Sequence, residues 1–147
     1  MHYQIQKLSE HDAALHEKLK AYCYDINGCC QAVHSELGPF LNEYMYQDAL
    51  EIMLNERNIP YVREHFFTIH FHGQTIRHKH YVDFWVRGKV FVECKAIERI
   101  GIEQRQQLWN YMRLTGTRIG ILWNFAPMHD QNEHYYLDTD SNVMYTF

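Results

Sequence analysis

The sequence predicts a mixed α/β domain, one sheet flanked by helices, spanning residues 1–147 as a single unit. Three patterns say so: helical apolar spacing through the first 58 residues, a strand hairpin across 81–95, and a helix at 102–114 that leads into a near-continuous apolar run at 118–125.

The helical region comes first. Ser9 and Asp12 supply start signals, and Ala13, Leu15, Leu19 and Tyr22 form an apolar stripe. Ile26, Cys30, Val33 and Leu37 continue at helical spacing after an expected break near residues 24–27. Gly38-Pro39 combines a helix stop with a residue suited to the first turn of a new helix. That helix is expected over 39–58, with Glu43, Tyr46 or Gln47, Leu50, Met53 or Leu54 and Arg57 along neighbouring turns. A carboxylate in such a stripe is a candidate buried acid.

Beyond Pro60 the pattern turns to strands. Val62, Phe66, Phe67, Ile69 and Phe71 are β-prone, with a turn at Gly73-Gln74. Residues 81–86 and 90–95 read as a hairpin closed by Arg87-Gly88-Lys89. The helix at 102–114 ends at Gly116. RIGILWNF at 118–125 reads as a strand buried on both faces. Residues 135–137 and 143–147 are expected to pair as a short β tail.

Composition is that of a globular protein, 46% hydrophobic and 22% charged, with no apolar run near the ~20 residues of a membrane helix. The first seven residues lack the basic-then-apolar pattern of a signal peptide, so a cytoplasmic location is expected. The four cysteines are then expected to be reduced, and no CxxC pair suggests structural zinc. Net charge is −4, yet residues 57–118 hold 11 Lys/Arg against 5 Asp/Glu. A local cationic segment fits phosphate binding whatever the total, though solvated loop charge would look the same.

Chemistry concentrates in the hairpin. Alternation puts Val82, Phe84, Val86, Val90, Val92 and Cys94 on one face and Tyr81, Asp83, Trp85, Phe91, Glu93 and Lys95 on the other. A turn centred on Gly88 sets Asp83 opposite Glu93, with Cβ atoms ~5 Å apart. Two facing carboxylates repel unless a cation lies between them. Lys95 supplies part of that charge, and a divalent ion would supply more, the oxygen donors suiting Mg²⁺ or Mn²⁺. The bland alternative is a surface Asp–Lys–Glu cluster. His65, His70, His72, His78 and His80 crowd the preceding strands. A turn at Thr75 would gather the last four, but that parity puts His80 with the apolar Val82, so hydrogen-bonded histidines are expected in place of a zinc site.

Asp83 followed by Glu93-Cys94-Lys95 resembles the core motif of the PD-(D/E)XK nuclease superfamily. Val33-His34, Leu37-Gly38-Pro39, Glu43 and Tyr46 resemble the helical motif of its GxxExxY family. Gln107, Asn110-Tyr111 and the stretch from Gly120 to Asn124-Phe125 resemble that family's Q-x-x-x-Y helix and closing strand. The likeness spans about residues 26–125. Phe40 stands in place of the namesake glycine, and Val82 precedes Asp83 in place of proline.

The resemblance implies a restriction-endonuclease-like core, αβββαβ, with a mixed four-stranded sheet, an extra N-terminal helix and the β tail. It implies a metal-dependent nuclease acting on DNA, with RNA not separated from it, and allows a homodimer that cuts both strands. Asp83 and Glu93 would hold Mg²⁺ or Mn²⁺ with the Cys94 backbone carbonyl and Glu43, while Lys95 and Gln107 would act on the nucleophile and the scissile phosphate. Tyr46 and Tyr111 would support the site. Arg77, Lys79, Arg87, Lys89, Arg99 and Arg105 would hold the nucleic-acid backbone. The competing expectations are a silent nucleic-acid- or protein-binding module on the same fold, and a partner-dependent subunit in DNA repair or phage defence.

Overall fold

A computed structural model describes residues 5–147. Strand β1 (Ile5–Lys7) leads into a single helical turn, α1 (Leu8–His11), and then into α2 (Ala13–Leu37). Asp12 caps α2 through its side chain, which accepts from the Leu15 N–H at 3.0 Å. The helix runs 25 residues without the break expected near 24–27. Leu19, Cys23, Ile26, Cys30 and Val33 form one continuous buried stripe, so burial carries the helix through Asp25-Ile26-Asn27-Gly28.

Helix α3 (Glu43–Glu56) begins four residues later than the Gly-Pro signal suggests. Asn42 caps it, accepting from the Met45 N–H at 3.1 Å. Residues 38–42 form a loop instead, and Phe40 there adopts a φ of 67°. Tyr46, Gln47, Leu50 and Leu54 are the buried face of α3.

Then come β2 (Tyr61–Phe67), a small projecting hairpin of β3 (His70–Phe71) and β4 (Gln74–Thr75), β5 (His80–Val86), β6 (Val90–Lys95), α4 (Ile102–Thr115), β7 (Ile119–Asn124), β8 (Gln131–Asp138) and β9 (Val143–Thr146). The small hairpin turns at His72-Gly73, pairing His70 with Thr75, so the Thr75-centred register that would have gathered four histidines is not formed. His70, His72 and His78 are exposed, whereas His80 stacks on Phe67. Gly116, at φ 71°, ends α4 in the left-handed cap its position signalled.

The sheet order is β1-β9-β8-β7-β6-β5-β2. Its heart is the expected four strands, with β2, β5 and β6 antiparallel and β7 parallel to β6. The β tail is larger than expected: β8 pairs antiparallel with β7, β9 with β8, and β1 adds in parallel to β9, making seven strands. Tyr135, Leu137, Met144 and Tyr145 bury their side chains there, which is why the tail joins the sheet.

Two cores flank the sheet. Helices α2 and α3 cover Phe84, Val86, Val90, Val92, Cys94, Ile121 and Trp123, while α4 covers Phe91 and Leu122 through Leu108, Trp109 and Met112. Every residue of β7 is buried. All four cysteines are buried free thiols. No helix among the described residues is long and apolar enough to cross a membrane.

Candidate active site

The hairpin of β5 and β6 has the register set by its Gly88 turn: Val86 faces Val90, Trp85 faces Phe91 and Phe84 faces Val92. Asp83 and Glu93 are the next step, and there the regular ladder stops. The backbone donors at the fork are turned to carboxylates instead. Asp83 Oδ2 accepts from the Cys94 N–H at 2.8 Å, and Glu93 Oε1 accepts from the Asp83 N–H at 3.3 Å. The two acids are thus drawn together by each other's strand.

An irregularity on the neighbouring strand helps place them. β2 pairs Arg63 with Phe84 and His65 with Val82, but the step between, Glu64 opposite Asp83, is skipped, and Glu64 has a φ of 51°. Face parity slips there. Phe84 packs under α2 and α3, while Val82, two residues away, packs with Phe67 and Phe91 under α4. Strict alternation had set Val82 beside Phe84 on one apolar face; the kink at Asp83 moves it to the other. Trp85 remains on the α4 side, where His65 stacks on it at 4.1 Å.

Glu93 is 5% exposed, yet the ion pair it makes, with Lys95 Nζ, is long at 3.9 Å. Lys95 also donates to Gln107 Oε1 on α4 at 3.3 Å. Burial, and then the neighbouring Asp83 charge, pushes the Glu93 carboxyl well above the ordinary carboxylate range, against the pull of Lys95. Asp83 is raised as well, chiefly by burial, with the Cys94 N–H and Lys95 opposing. Glu43, the first residue of α3, completes an acidic trio by charge: burial and then Asp83 raise its pKa, and Lys95 lowers it. Its Oε2 accepts from Gln47 Nε2 at 3.2 Å.

Taken together, three acids with raised pKa values feel the charge of one ammonium group at the β5–β6 fork. That imbalance favours an added cation, and the donors are all hard oxygens, the type a small divalent ion takes. Among the described residues no three His, Cys, Asp or Glu side chains are gathered closely enough to hold a metal by themselves. Asp83 and Glu93 therefore fit as a two-carboxylate mount that leaves positions to backbone, water or substrate oxygen.

The other residues singled out by sequence divide. Tyr46 is fully buried; its hydroxyl donates to the Gly38 carbonyl at 2.7 Å, accepts from the Leu41 N–H at 3.1 Å, and its ring stacks on Phe125. Tyr111 lies edge-on to Phe67 and His80. Arg77 and Lys79 are exposed on the loop before β5, and Arg99 is exposed on the loop after Lys95. Two arginines are engaged elsewhere. Arg87 pairs with Asp25, bonds the Tyr22 carbonyl at 3.2 Å and lies over the Tyr22 ring, tying the hairpin turn to α2. Arg105 is bidentate to Glu133, both bonds 2.7 Å. Lys89 is exposed at the turn, about 15 Å along the strands from the carboxylates.

Two residues that the sequence patterns include without a role, Gln47 and Asn124, act as supports. Gln47 joins Glu43 to Arg63, whose guanidinium also holds Asp48 at 2.6 Å and Glu51 at 3.3 Å. Asn124, fully buried, accepts from the Ile97 N–H and donates to the Ile97 carbonyl, both at 3.0 Å, and so fixes the segment leaving Lys95. An amide inside the apolar run Leu122-Trp123-Asn124-Phe125 was the available signal, because a buried Asn must find polar partners.

The fold has a counterpart among solved structures. The crystal structure of SSO0001 matches with a TM-score of 0.50 and 22% sequence identity, over 69% of this chain and 54% of that one. The present chain thus spans about half the length of SSO0001, and the likeness is one of fold. No curated protein matches the sequence. The family model described as the PD-(D/E)XK nuclease superfamily matches residues 20–135, from α2 through β7 and into β8, a span that includes Asp83, Glu93 and Lys95; the chain belongs to that superfamily.

Proposed function

We propose that this protein is a nuclease dependent on Mg²⁺ or Mn²⁺ that hydrolyses phosphodiester bonds in DNA. The observation that carries the reading is the buried Glu93 beside half-buried Asp83, both with raised carboxyl pKa values and with only Lys95, among the described residues, as a cation in ion-pair range of Glu93. A fold that needed only packing here would be more stable with apolar side chains, since isolated buried charge is costly.

Asp83 and Glu93 are the proposed cation ligands, with the Cys94 carbonyl as a third oxygen and Glu43 contributing through water. When bound, such an ion polarises a phosphate oxygen and lowers the pKa of its water. Lys95 lies between Glu93 Oε2 and Gln107 Oε1, which fixes its ammonium at the mouth of the carboxylate pair. Held there, it stabilises negative charge developing on the phosphoryl oxygens. Gln107 accepts from Lys95 through its carbonyl oxygen, which leaves its NH₂ to orient the attacking water or the phosphate. Arg77, Lys79 and Arg99 are exposed cations available to the DNA backbone.

Incubation of supercoiled plasmid with Mg²⁺, Mn²⁺ or EDTA tests the reading directly. Nicking or linearisation is expected with either ion and not with EDTA. Lys95→Ala should reduce the rate by about 10²–10³-fold, with an unchanged circular-dichroism spectrum. Cleavage by that variant at the wild-type rate would remove Lys95 from the mechanism, and failure of the wild type on plasmid, linear and single-stranded DNA would overturn the proposal.

A further inference from the structure

Phe40 holds a conformation that a bulky L-residue avoids. Its φ of 67° lies in the left-handed region, where Cβ crowds the backbone and where glycine sits without strain. The backbone around it is well tied: the Phe40 N–H donates to the Ala126 carbonyl at 2.9 Å, and the Tyr46 hydroxyl bridges the Gly38 carbonyl and the Leu41 N–H. None of these bonds needs the aromatic ring, and Phe40 is 74% exposed. A large apolar side chain is therefore kept in solvent at a position that disfavours it, which is the kind of local cost found at functional sites.

The ring borders a hollow of about 560 Å³ shared with Leu41, Ala96, Ile97, Met128 and Glu98. That size lies within the ~300–1,000 Å³ usual for small-ligand sites. Ala96 and Ile97 directly follow Lys95, and Phe40 stands three residues before Glu43, so the hollow lies only a few residues of chain from the candidate site. Its walls are set in advance, Ile97 by Asn124 and Ala126 by Phe40. The one charged residue lining it is Glu98, whose side chain repels phosphate and accepts N–H groups. A flat apolar face with an amino-bearing edge matches such walls; a phosphodiester does not.

We infer that this hollow receives an unstacked nucleobase of the substrate strand, with Phe40 as its stacking platform, next to the phosphate held at Asp83 and Glu93. The inference rests on the nuclease reading and deepens it: the preferred substrates carry an unpaired, frayed or splayed nucleotide at the cleavage point. Every base has an aromatic face, so the platform selects unpaired structure more than sequence.

Fluorescence anisotropy in Ca²⁺ buffer, with a fully paired duplex and a matched splayed duplex carrying 2-aminopurine as the unpaired base, tests this. Wild type should bind the splayed DNA more tightly and quench the 2-aminopurine. Phe40→Gly and Phe40→Ala should weaken splayed-DNA binding roughly 5- to 150-fold, the range set by base–aromatic stacking. Both should lose the quenching, leave duplex binding unchanged and not lower Tm, while Phe40→Trp should preserve preference and quenching. Unchanged splayed-DNA binding in Phe40→Gly, or an equal loss on both DNAs, overturns the base site while leaving Mg²⁺-dependent cleavage and the nuclease reading intact. A wild type that neither binds nor, with Mg²⁺ or Mn²⁺, cleaves either DNA removes the nuclease reading and the base site together.

Discussion

Replacing Glu93 by Gln should make the metal-free protein more stable while destroying its activity. Glu93 is 5% exposed, its strongest perturbation is burial, and Asp83 and Lys95 act on it with opposite signs. The Lys95 attraction acts across 3.9 Å, while the Asp83 carboxylate lies within side-chain hydrogen-bond reach of Glu93 and outweighs it. Neutralisation therefore relieves that repulsion together with the desolvation cost of a buried charge. Glutamine keeps the oxygen that accepts from the Asp83 N–H and adds a donor for the Asp83 carboxylate. The added N–H donor to the Asp83 carboxylate is a hydrogen bond to a charged group, worth about 1.5–3 kcal/mol; for a chain of this length that is a rise in Tm of roughly 4–10 °C. The pH sign follows from the raised native pKa: the folded state binds this proton more tightly than the unfolded chain, so wild type loses stability as pH climbs from about 4.5 through the native value. Thermal melts in EDTA at pH 8 and pH 4.5 should therefore show a clear advantage for Glu93→Gln at pH 8 that shrinks at pH 4.5. Added Mn²⁺ should raise the Tm of wild type and not of the variant. A variant less stable than wild type at pH 8 in EDTA would show that the carboxylate is satisfied by protein alone, and the cation argument would fail.

Two further perturbations probe other parts of the structure. His134 is largely buried on β8, with Nε2 2.7 Å from Asn27 Oδ1 of α2, and burial lowers its pKa to about 4. The unfolded chain takes up that proton first, so stability should fall as pH drops from about 6.5 to about 4, by up to about 3 kcal/mol. Urea midpoints across that interval should flatten in His134→Gln; an equally steep decline in the variant would assign the effect to other groups. For the basic residues, Arg77→Gln and Lys79→Gln should each reduce the dependence of log Kd on log[salt] by about 1. Arg87→Gln should leave that slope alone and lower stability by about 1 kcal/mol or less, because Asp25 in its ion pair is partly solvent-exposed. A reduced salt slope in Arg87→Gln would place DNA at the hairpin turn.

Much of the site was written in local chemistry. Period-two alternation, a Gly88 turn and a near-continuous apolar 118–125 stretch determined the β5–β6 register, the neighbouring buried strand and the meeting of Asp83 with Glu93. Such features are legible because strand periodicity and turn geometry act over a few residues. The left-handed Gly116 stop and the amphipathic α4 belong to the same class.

What the chain could not announce depends on distant partners. The slip of parity at Asp83 coincides with a positive φ at Glu64 on the neighbouring strand and sends Val82 and Phe84 to different cores. Helix α2 runs on because the stripe from Leu19 to Val33 is buried by elements far along the chain, and the β tail joins a seven-stranded sheet because its inward residues find cores already built. Whether an arginine is free for phosphate is a question of which carboxylate lies near it after folding, and Asp25 and Glu133 answer it for Arg87 and Arg105. The Phe40 backbone is likewise set by a carbonyl at Ala126, 86 positions along the sequence. The sequence by itself determined which polar groups meet at the β5–β6 fork; the tertiary structure decided which of them are dry, which are paired and which remain exposed, because burial and charge pairing depend on contacts that spacing along a chain does not encode.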